Sequence, residues 1–208
     1  EADRIAAIVR SLLRFSEQKE ERRKEVRIAD IVQATLTLFN SALISAGIKV
    51  EVDVPADLPP AIGHGTQLQH VLLNLLTNAR DALNALEGPA DDRRRINISA
   101  SVLRPNGTSQ ARVAAGASAS PPNRVYFPST ASFGADSHDD AAANVDFLRL
   151  TVEDFGPGIP GEIVDRVFDP FFTTKDRSRH AGLGLTTSLG IVREHGGTLS
   201  LETTNGQW

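Results

Sequence analysis

The sequence predicts an α/β protein, and three observations lead to this class. Apolar residues recur at three- and four-residue steps over 3–18 and 66–86, which is the period of an amphipathic α-helix. Residues 48–54 alternate apolar and charged side chains, and 95–103 and 147–155 have similar strand character. These segments alternate along 208 residues, enough for one good-sized domain and an additional element.

The composition narrows the class of protein. With 40% hydrophobic and 23% charged residues it is ordinary for a globular chain. A net charge of −4 argues against a nucleic-acid-coating protein, which normally presents a basic face. The absence of cysteine excludes disulfides and Cys-ligated zinc. No apolar run reaches membrane-spanning length and residues 1–10 do not form a signal peptide, so we expect no membrane contact by this segment.

The first half of the chain contains two helices before the strongest one. The helix predicted over 3–18 has a wide apolar stripe and therefore needs a partner. The mixed-charge residues 19–27 predict a helix end or linker, and Asp30 is the predicted N-cap of the second helix. The strand over 48–54 ends at the proline-containing stretch 55–60.

The second half begins with the strongest helix, over 66–86, followed by the strands 95–103 and 147–155. A further helix is predicted over 185–194 and a strand from 198 to 202. Between the two middle strands, 31 of the 40 residues at 105–144 are Ala, Ser, Pro, Gly, Asn, Asp or Thr. Such a segment buries too little apolar area to offset its ordering, so we predict a mostly mobile insertion, with a short strand at 124–127.

Polar residues on the strongest helix are the first candidate site. Asn74 and Asn78 are four residues apart and share one face, and Asp81 lies near the same stripe. Amides on an otherwise apolar helix are costly unless hydrogen-bonded. A hydrogen bond to the backbone or to a ligand would satisfy each amide, and the helix pattern alone does not decide between these two alternatives.

Two glycine-containing segments are the second and third candidates. Asp154 ends a strand and is followed by Gly156, Gly158 and Ile159; the glycines allow close approach to a flat ligand, and the carboxylate suits an exocyclic amine such as that of adenine. The segment 182–185, Gly-Leu-Gly-Leu, opens a helix and predicts an anion site at its free N–H groups. Between them, three phenylalanines in 168–172 predict an anchored loop before Lys175, a candidate phosphate contact.

In this order and spacing, the four segments resemble the GHKL ATPase superfamily, which includes sensor histidine kinases, gyrase-type topoisomerases, a heat-shock chaperone and mismatch-repair ATPases. Residues 73–79 resemble its N box, 154–158 its G1 box, 168–172 its F box and 182–185 its G2 box. The resemblance covers about residues 30–208, and 78–82 are most similar to nitrogen-regulator-like kinases. The stripe in the first helix resembles the second helix of the kinases' dimerisation stalk.

The resemblance implies a two-layer α/β sandwich, a mixed sheet with helices on one face, over 26–208, preceded by the end of the stalk at 1–25. It implies ATP and Mg²⁺ as cofactors, with Asn78 as metal ligand and Asn74 and Asn78 as catalytic residues. The implied ATP-binding positions are Asn74, Asn78, Asp81, Asp154, Gly156, Gly158, Ile159, Lys175, Gly182, Leu183, Gly184 and Leu185. The chain ends before the family's last strand, so we expect it to be part of a longer protein.

The resemblance also implies a kinase rather than a hydrolase. Hydrolysing relatives place a glutamate one turn before the metal-binding asparagine, whereas this chain has Asn74, which cannot take a proton. The implied acceptor is a stalk histidine, followed by an aspartate of a response-regulator receiver domain, in a cytoplasmic homodimer whose membrane anchoring stays open. None of the five histidines is a convincing acceptor; His138 lies in the insertion and His195 is expected to be a structural helix end.

Three departures from the family keep alternatives open. His180 replaces a lid glycine, the lid with Arg177 and Arg179 is short, and Asp81 stands where many relatives have a basic residue. We expect the neighbouring Arg80 to point elsewhere on the helix. The alternatives are another GHKL branch, such as a Ser protein kinase, and a non-catalytic nucleotide-binding dimeric scaffold.

Overall fold

The computed structural model describes residues 23–86, 93–103, 123–128, 147–176 and 180–202. The predicted helix over 3–18, most of the insertion at 105–144, His138, Arg177 and Arg179 lie outside these residues.

One mixed five-stranded sheet forms the first layer. Numbered in order along the chain, the strands are β1 (Lys24–Val26), β2 (Lys49–Asp53), β3 (Ala61–Gly63), β4 (Arg95–Leu103), β5 (Asn123–Pro128), β6 (Phe147–Asp154) and β7 (Thr198–Ser200). The main sheet has the order β2-β4-β6-β5-β7, in which β2 and β4 are parallel and the other pairs antiparallel. β1 and β3 form a separate antiparallel pair.

Helices form the second layer. They are α1 (Ile28–Ser45), α2 (Gly65–Asn84) and α3 (Gly184–Glu194), and a short 3₁₀ helix spans Gly161–Arg166. α2 lies between α1 and α3 and packs against β6. The predicted α/β class is confirmed, and the strands and helices predicted within the described residues lie within two residues of their observed bounds, with the exceptions given below.

The apolar face of α2 is the centre of the core. Its leucines and valine at the predicted positions are each at most 3% exposed, and the inward residues of β4 and β6 lie in the same cluster. The buried residues of α2 are Gln67, Leu68, Val71, Leu72, Leu75, Leu76, Ala79 and Leu83. A helix held by so much apolar contact is a rigid support for the polar groups on its remaining face.

Three predictions in the first half were wrong. Lys24–Val26 is a strand paired with β3, not a helix end or linker. The N-cap of α1 is Arg27, so Asp30 lies inside the first turn, where its charge favours the helix dipole. The expectation that no apolar run reaches membrane-spanning length was also wrong. Within the described residues, α1 is long and apolar enough to cross a membrane, with a mean hydropathy of 1.3. Ile28, Ile31 and Val32 pack it into the protein core.

The insertion contributes a strand to the sheet. β5 corresponds to the short strand predicted at 124–127, and it lies between β6 and β7. Residues 123–128 pair with 147–152 of β6, and residues 124–126 pair with β7. Among the described strands, β5 is the one that joins β7 to the sheet. Part of the insertion is therefore integral to the layer beneath α3.

His195 connects the C-terminal end of α3 to the residue before α2, and it is the structural helix end that the sequence predicted. It is the C-cap of α3 and is 4% exposed. Its Nε2 accepts a hydrogen bond from the backbone N–H of His64 at 2.9 Å, and its Nδ1 lies 2.8 Å from the Ile191 carbonyl. This pattern requires the neutral Nδ1–H tautomer. Burial lowers the pKa of His195, although the Ile191 carbonyl opposes this shift.

We expect the free energy of unfolding to fall as the pH drops below about 6.5, the pKa of an unfolded histidine. The folded pKa of His195 is lowered, so the stability that His195 contributes is complete above the unfolded pKa. This stability is lost as the pH falls toward the folded pKa. Urea titrations of wild type and His195→Phe at pH 5.0–8.0 measure this. The variant should lose about 1–3 kcal/mol at pH 8, and the difference from wild type should shrink at pH 5. A difference independent of pH would contradict the assignment.

Candidate nucleotide-binding site

Three segments converge on the polar face of α2, and the space between them is called the cleft below. Asn74, Asn78 and Asp81 are all half-buried on this face, as their spacing predicted. The loop after β6, the segment leading to Lys175 and the N-terminus of α3 each contact this face, through contacts described below. The structure therefore brings together the four segments that the sequence singled out.

Asn74 links α2 to the N-terminal turn of α3. Its Nδ2 donates to the Gly184 carbonyl at 3.2 Å and to the Ser188 hydroxyl at 3.1 Å. Ser188 is fully buried, and sequence reasoning missed it because serine is common on helices. The side-chain nitrogen of Asn74 thus positions the glycine loop relative to α2, a role distinct from the predicted assistance to a metal ion.

Asn78 and Asp81 hold the side chain of Lys175. The Lys175 ammonium donates to Asn78 Oδ1 at 3.0 Å and to Asp81 Oδ2 at 2.7 Å. The other carboxylate oxygen of Asp81 accepts two bonds from Arg80, at 2.7 and 3.2 Å. The expectation that Arg80 points elsewhere was wrong, because its long side chain folds back along α2 with its guanidinium also 5.3 Å from the Phe39 ring.

Asp81 is therefore a carboxylate surrounded by cations. Burial alone would raise its pKa, but the hydrogen bonds from Lys175 and Arg80 outweigh burial and lower the pKa below its ordinary value. His180 stands where the sequence resemblance leads one to expect a lid glycine. Its Nε2 lies 4.0 Å from the same carboxylate. Asp81 stays ionised at neutral pH and compensates the positive charge of this part of the cleft.

The loop after β6 places Asp154 against α2. Asp154 Oδ1 accepts the Gly156 N–H at 3.0 Å, and a Cβ on Gly156 would lie 2.9 Å from the Ala82 Cβ. Only glycine therefore lets the loop approach the helix this closely. Burial raises the pKa of Asp154, while the Gly156 N–H lowers it.

The remaining residues of this loop fix its direction. Phe155 is 5% exposed, and the Arg95 guanidinium lies 4.1 Å from its ring centroid. Gly158 has φ +75°, and Ile159 beside it is half-buried. The buried phenylalanine anchors the loop in the core, so the carboxylate of Asp154 and the glycines are held in place at the cleft.

A strained contact connects the phenylalanine segment with the second glycine loop. Phe171 has φ +66° and is 53% exposed, and its N–H donates to the Gly182 carbonyl at 3.0 Å. Gly182 has φ +67°, and a Cβ there would lie 2.6 Å from the Phe171 carbonyl carbon. The Thr186 hydroxyl also donates to the Phe168 carbonyl at 2.9 Å. Backbone strain of this kind accumulates at functional sites.

The N-terminus of α3 supplies free N–H groups to the cleft. Leu183 is the N-cap and makes no side-chain capping bond, and Gly184 is exposed. The first amides of a helix have no intrahelical partner and favour an anion. The side chain of Leu185 packs against the core, which fixes the direction of the helix.

The residues present fit a Mg²⁺ ion bound together with phosphates. The amide oxygen of Asn78 already accepts a cation, the Lys175 ammonium. No cluster of three His, Cys, Asp or Glu side chains that could hold a metal occurs among the described residues. Mg²⁺ is commonly held by one or two protein oxygens together with substrate phosphates and water, and Asn78 offers one such oxygen.

A model of the family described as histidine kinase-, DNA gyrase B- and HSP90-like ATPase matches residues 129–208. Residues 129–208 are thus similar to the ATPase domains of that family. The sensor kinase CckA of Brucella abortus (strain 2308) is 29% identical over 206 residues, 99% of this chain and 18% of the relative. This chain spans less than half of the length of the curated relatives to which it is similar here.

Two solved structures share the fold. Full-length ShkA in complex with AMPPNP is 17% identical, with a TM-score of 0.57 over 99% of this chain and 37% of that one. The histidine kinase ThkA in complex with the response regulator protein TrrA is 16% identical, with a TM-score of 0.51 over 100% of this chain and 50% of that one. At these identities the likeness establishes the fold, which confirms the predicted two-layer α/β sandwich.

We expect Gly182→Ala to destabilise the protein, because the new Cβ meets the backbone of Phe171 and Phe172 and the residue has a positive φ. The left-handed conformation alone costs about 1–2 kcal/mol for alanine. Gly190→Ala on α3 is the matched control, since a Cβ at that position would have no neighbouring atom within 4 Å. It should stabilise by up to about 1 kcal/mol. Urea denaturation measures both, and equal effects of the two substitutions would contradict the loop contact.

Proposed function

We propose that this domain binds Mg²⁺-ATP and is the catalytic part of a protein-histidine kinase. The observation that carries the proposal is the convergence of Asp154, Lys175 and the N-terminus of α3 on the Asn74–Asn78 face of α2. These groups offer a carboxylate for an amine at one end of the cleft and positive charge for phosphates at the other. A nucleoside triphosphate has both chemistries in one molecule.

In this arrangement adenine lies beside the loop after β6. Asp154 accepts a hydrogen bond from the exocyclic amine, and Gly156 and Gly158 leave room for the flat ring, with Ile159 beside it. The phosphates lie toward Lys175 and the amides at Gly182, Leu183, Gly184 and Leu185. Asn78 would hold Mg²⁺, which when bound neutralises charge on the phosphates.

The polar face of α2 favours transfer over hydrolysis. A hydrolase needs a base that takes a proton from water, but residue 74 is an amide and its nitrogen is bonded to α3. The carboxylate on this face, Asp81, is engaged by Lys175 and Arg80. Phosphoryl transfer depends mainly on positioning and charge stabilisation, so a bound ATP would persist until an acceptor side chain reaches its γ-phosphate.

The acceptor is proposed to be a histidine outside this segment. His195 uses both ring nitrogens in contacts with His64 and Ile191, which leaves no nucleophilic position. We propose that residues 1–25 are the end of a dimerisation stalk, that residues 26–208 are the catalytic domain, and that the phosphoryl group passes from the stalk histidine to a receiver domain. The solved complex of ThkA with a response regulator supports such a partner. We place the domain in the cytoplasm, where ATP is available.

Calorimetric titration with AMPPNP tests the site. We expect Mg²⁺-assisted binding by wild type, about 10–100-fold weaker binding by Asp154→Asn because a hydrogen bond to a charged group is lost, and loss of the Mg²⁺ effect in Asn78→Ala. The exposed residues Asp53 and Asn40 provide the controls Asp53→Asn and Asn40→Ala, which should bind like wild type. Absence of binding by wild type would contradict the proposal and favour a scaffold.

The acceptor is identified by the stability of the transferred label. The full-length protein incubated with γ-labelled ATP should acquire acid-labile, alkali-stable phosphate, as expected for phosphohistidine. Acid-stable label would indicate a Ser protein kinase. Rapid release of phosphate without protein labelling would indicate an ATPase. Either of the last two results would contradict histidine transfer while leaving nucleotide binding intact.

A further inference from the structure

Asp81 places a negative charge where the proposed function requires phosphates. It lies one turn beyond Asn78 on the same face, and its side chain is only 15% exposed. A carboxylate beside a triphosphate opposes binding by like-charge repulsion. Asp81 therefore needs a role other than direct contact with the nucleotide.

The contacts of Asp81 indicate that role. Its Oδ2 is 2.7 Å from the Lys175 ammonium, while the same ammonium is 3.0 Å from Asn78 Oδ1. Arg80 binds Oδ1 from within α2, so it fixes the orientation of the carboxylate. The result is a lysine side chain held across the cleft on the amide oxygen proposed to bind Mg²⁺.

An ammonium and Mg²⁺ cannot share this oxygen in the same arrangement. Mg²⁺ requires a ligand oxygen at about 2.0–2.1 Å in a nearly octahedral shell. A second cation at hydrogen-bond distance from that oxygen would repel the ion strongly in a partly buried cleft. Lys175 must therefore leave Asn78 when the metal and nucleotide enter.

We propose that Asp81 is the resting partner of Lys175, and that nucleotide binding transfers the Lys175 ammonium from Asp81 and Asn78 to the nucleotide phosphates. This latch rests on the proposed function, because it takes Asn78 as the metal ligand. Asp81 acts through Lys175 and is thus a positioning residue. It keeps the metal position closed in the free domain and supplies a cation only when phosphates compete for it.

The latch predicts that removing the charge of Asp81 strengthens nucleotide binding. Asp81→Asn keeps the side-chain shape but weakens the hold on Lys175 and removes a repulsive charge. We expect the affinity for Mg²⁺-AMPPNP to rise by at least about fivefold, the lower end of typical coupling between sites. Adenosine has no phosphates, so its affinity should be unchanged. Asp53→Asn, the matched loss of a charge on an exposed strand, should change neither affinity.

The side-chain ammonium of Lys175 gives a readout that is independent of activity. In ¹⁵N NMR of wild type without nucleotide, we expect a hydrogen-bonded ammonium signal that Lys175→Gln removes. Mg²⁺-AMPPNP should shift this signal and adenosine should not. The wild-type signal tests the latch even where Asp81→Asn folds poorly.

The outcomes separate the latch from the proposed function. Wild-type binding of AMPPNP with equal or weaker binding by Asp81→Asn would overturn the latch alone. A change of the same size for AMPPNP and adenosine would assign Asp81 a structural role and would also overturn the latch. Failure of wild type to bind either ligand would contradict the proposed function itself.

Discussion

The structure depends on the burial of one face of α2. Its buried leucines and valine are at most 3% exposed, and each such side chain contributes about 1.5–3 kcal/mol when fully buried. This contact fixes the rotation of the helix about its own axis. Because side chains three and four residues apart share a face, the same rotation sets the directions of Asn74, Asn78 and Asp81. Core packing and site geometry are thus determined by a single helix.

The loops around the cleft are positioned by contacts that tolerate little change. Gly156 approaches α2 too closely for a side chain, and Gly182 does the same against the phenylalanine segment. Hydrogen bonds from Asn74 connect α2 to the start of α3, and a hydrogen bond to His195 connects the other end of α3 to the residue before α2. Both ends of α3 are therefore tied to α2. These two ties set the position of the first turn of α3, whose amides have no intrahelical partner.

The periodicity of the sequence predicted most of the regular structure, because the core-facing residues of α2, β4 and β6 follow simple helical and strand patterns. It missed β1, β3 and the 3₁₀ helix, which are short and carry too few residues for a pattern. It placed the start of α1 three residues late because Asp30 is a good capping residue in isolation, whereas the chain turns into the helix after Arg27. The strand β5 was found because a short apolar run stands out within the low-complexity insertion.

The candidate site was predicted as residues but not as contacts. Motif spacing identified the asparagines, Asp154, the glycines and Lys175, since each needs a particular residue type. No sequence rule placed Ser188 beside Asn74, or folded Arg80 back onto Asp81, because these contacts depend on packing between elements distant in sequence. The pairing of Lys175 with Asp81 spans 94 residues of sequence, and it turns two unremarkable charges into a cation held at the centre of the cleft.

The most direct test of the account is a crystal structure of this domain with AMPPNP and Mg²⁺. We predict that the adenine amine bonds to the Asp154 carboxylate, that Asn78 Oδ1 ligates the metal, and that the phosphates lie at the N-terminus of α3. Nucleotide bound elsewhere, for example in the groove between α1 and β2 lined by Val32, Leu36 and Val54, would contradict it.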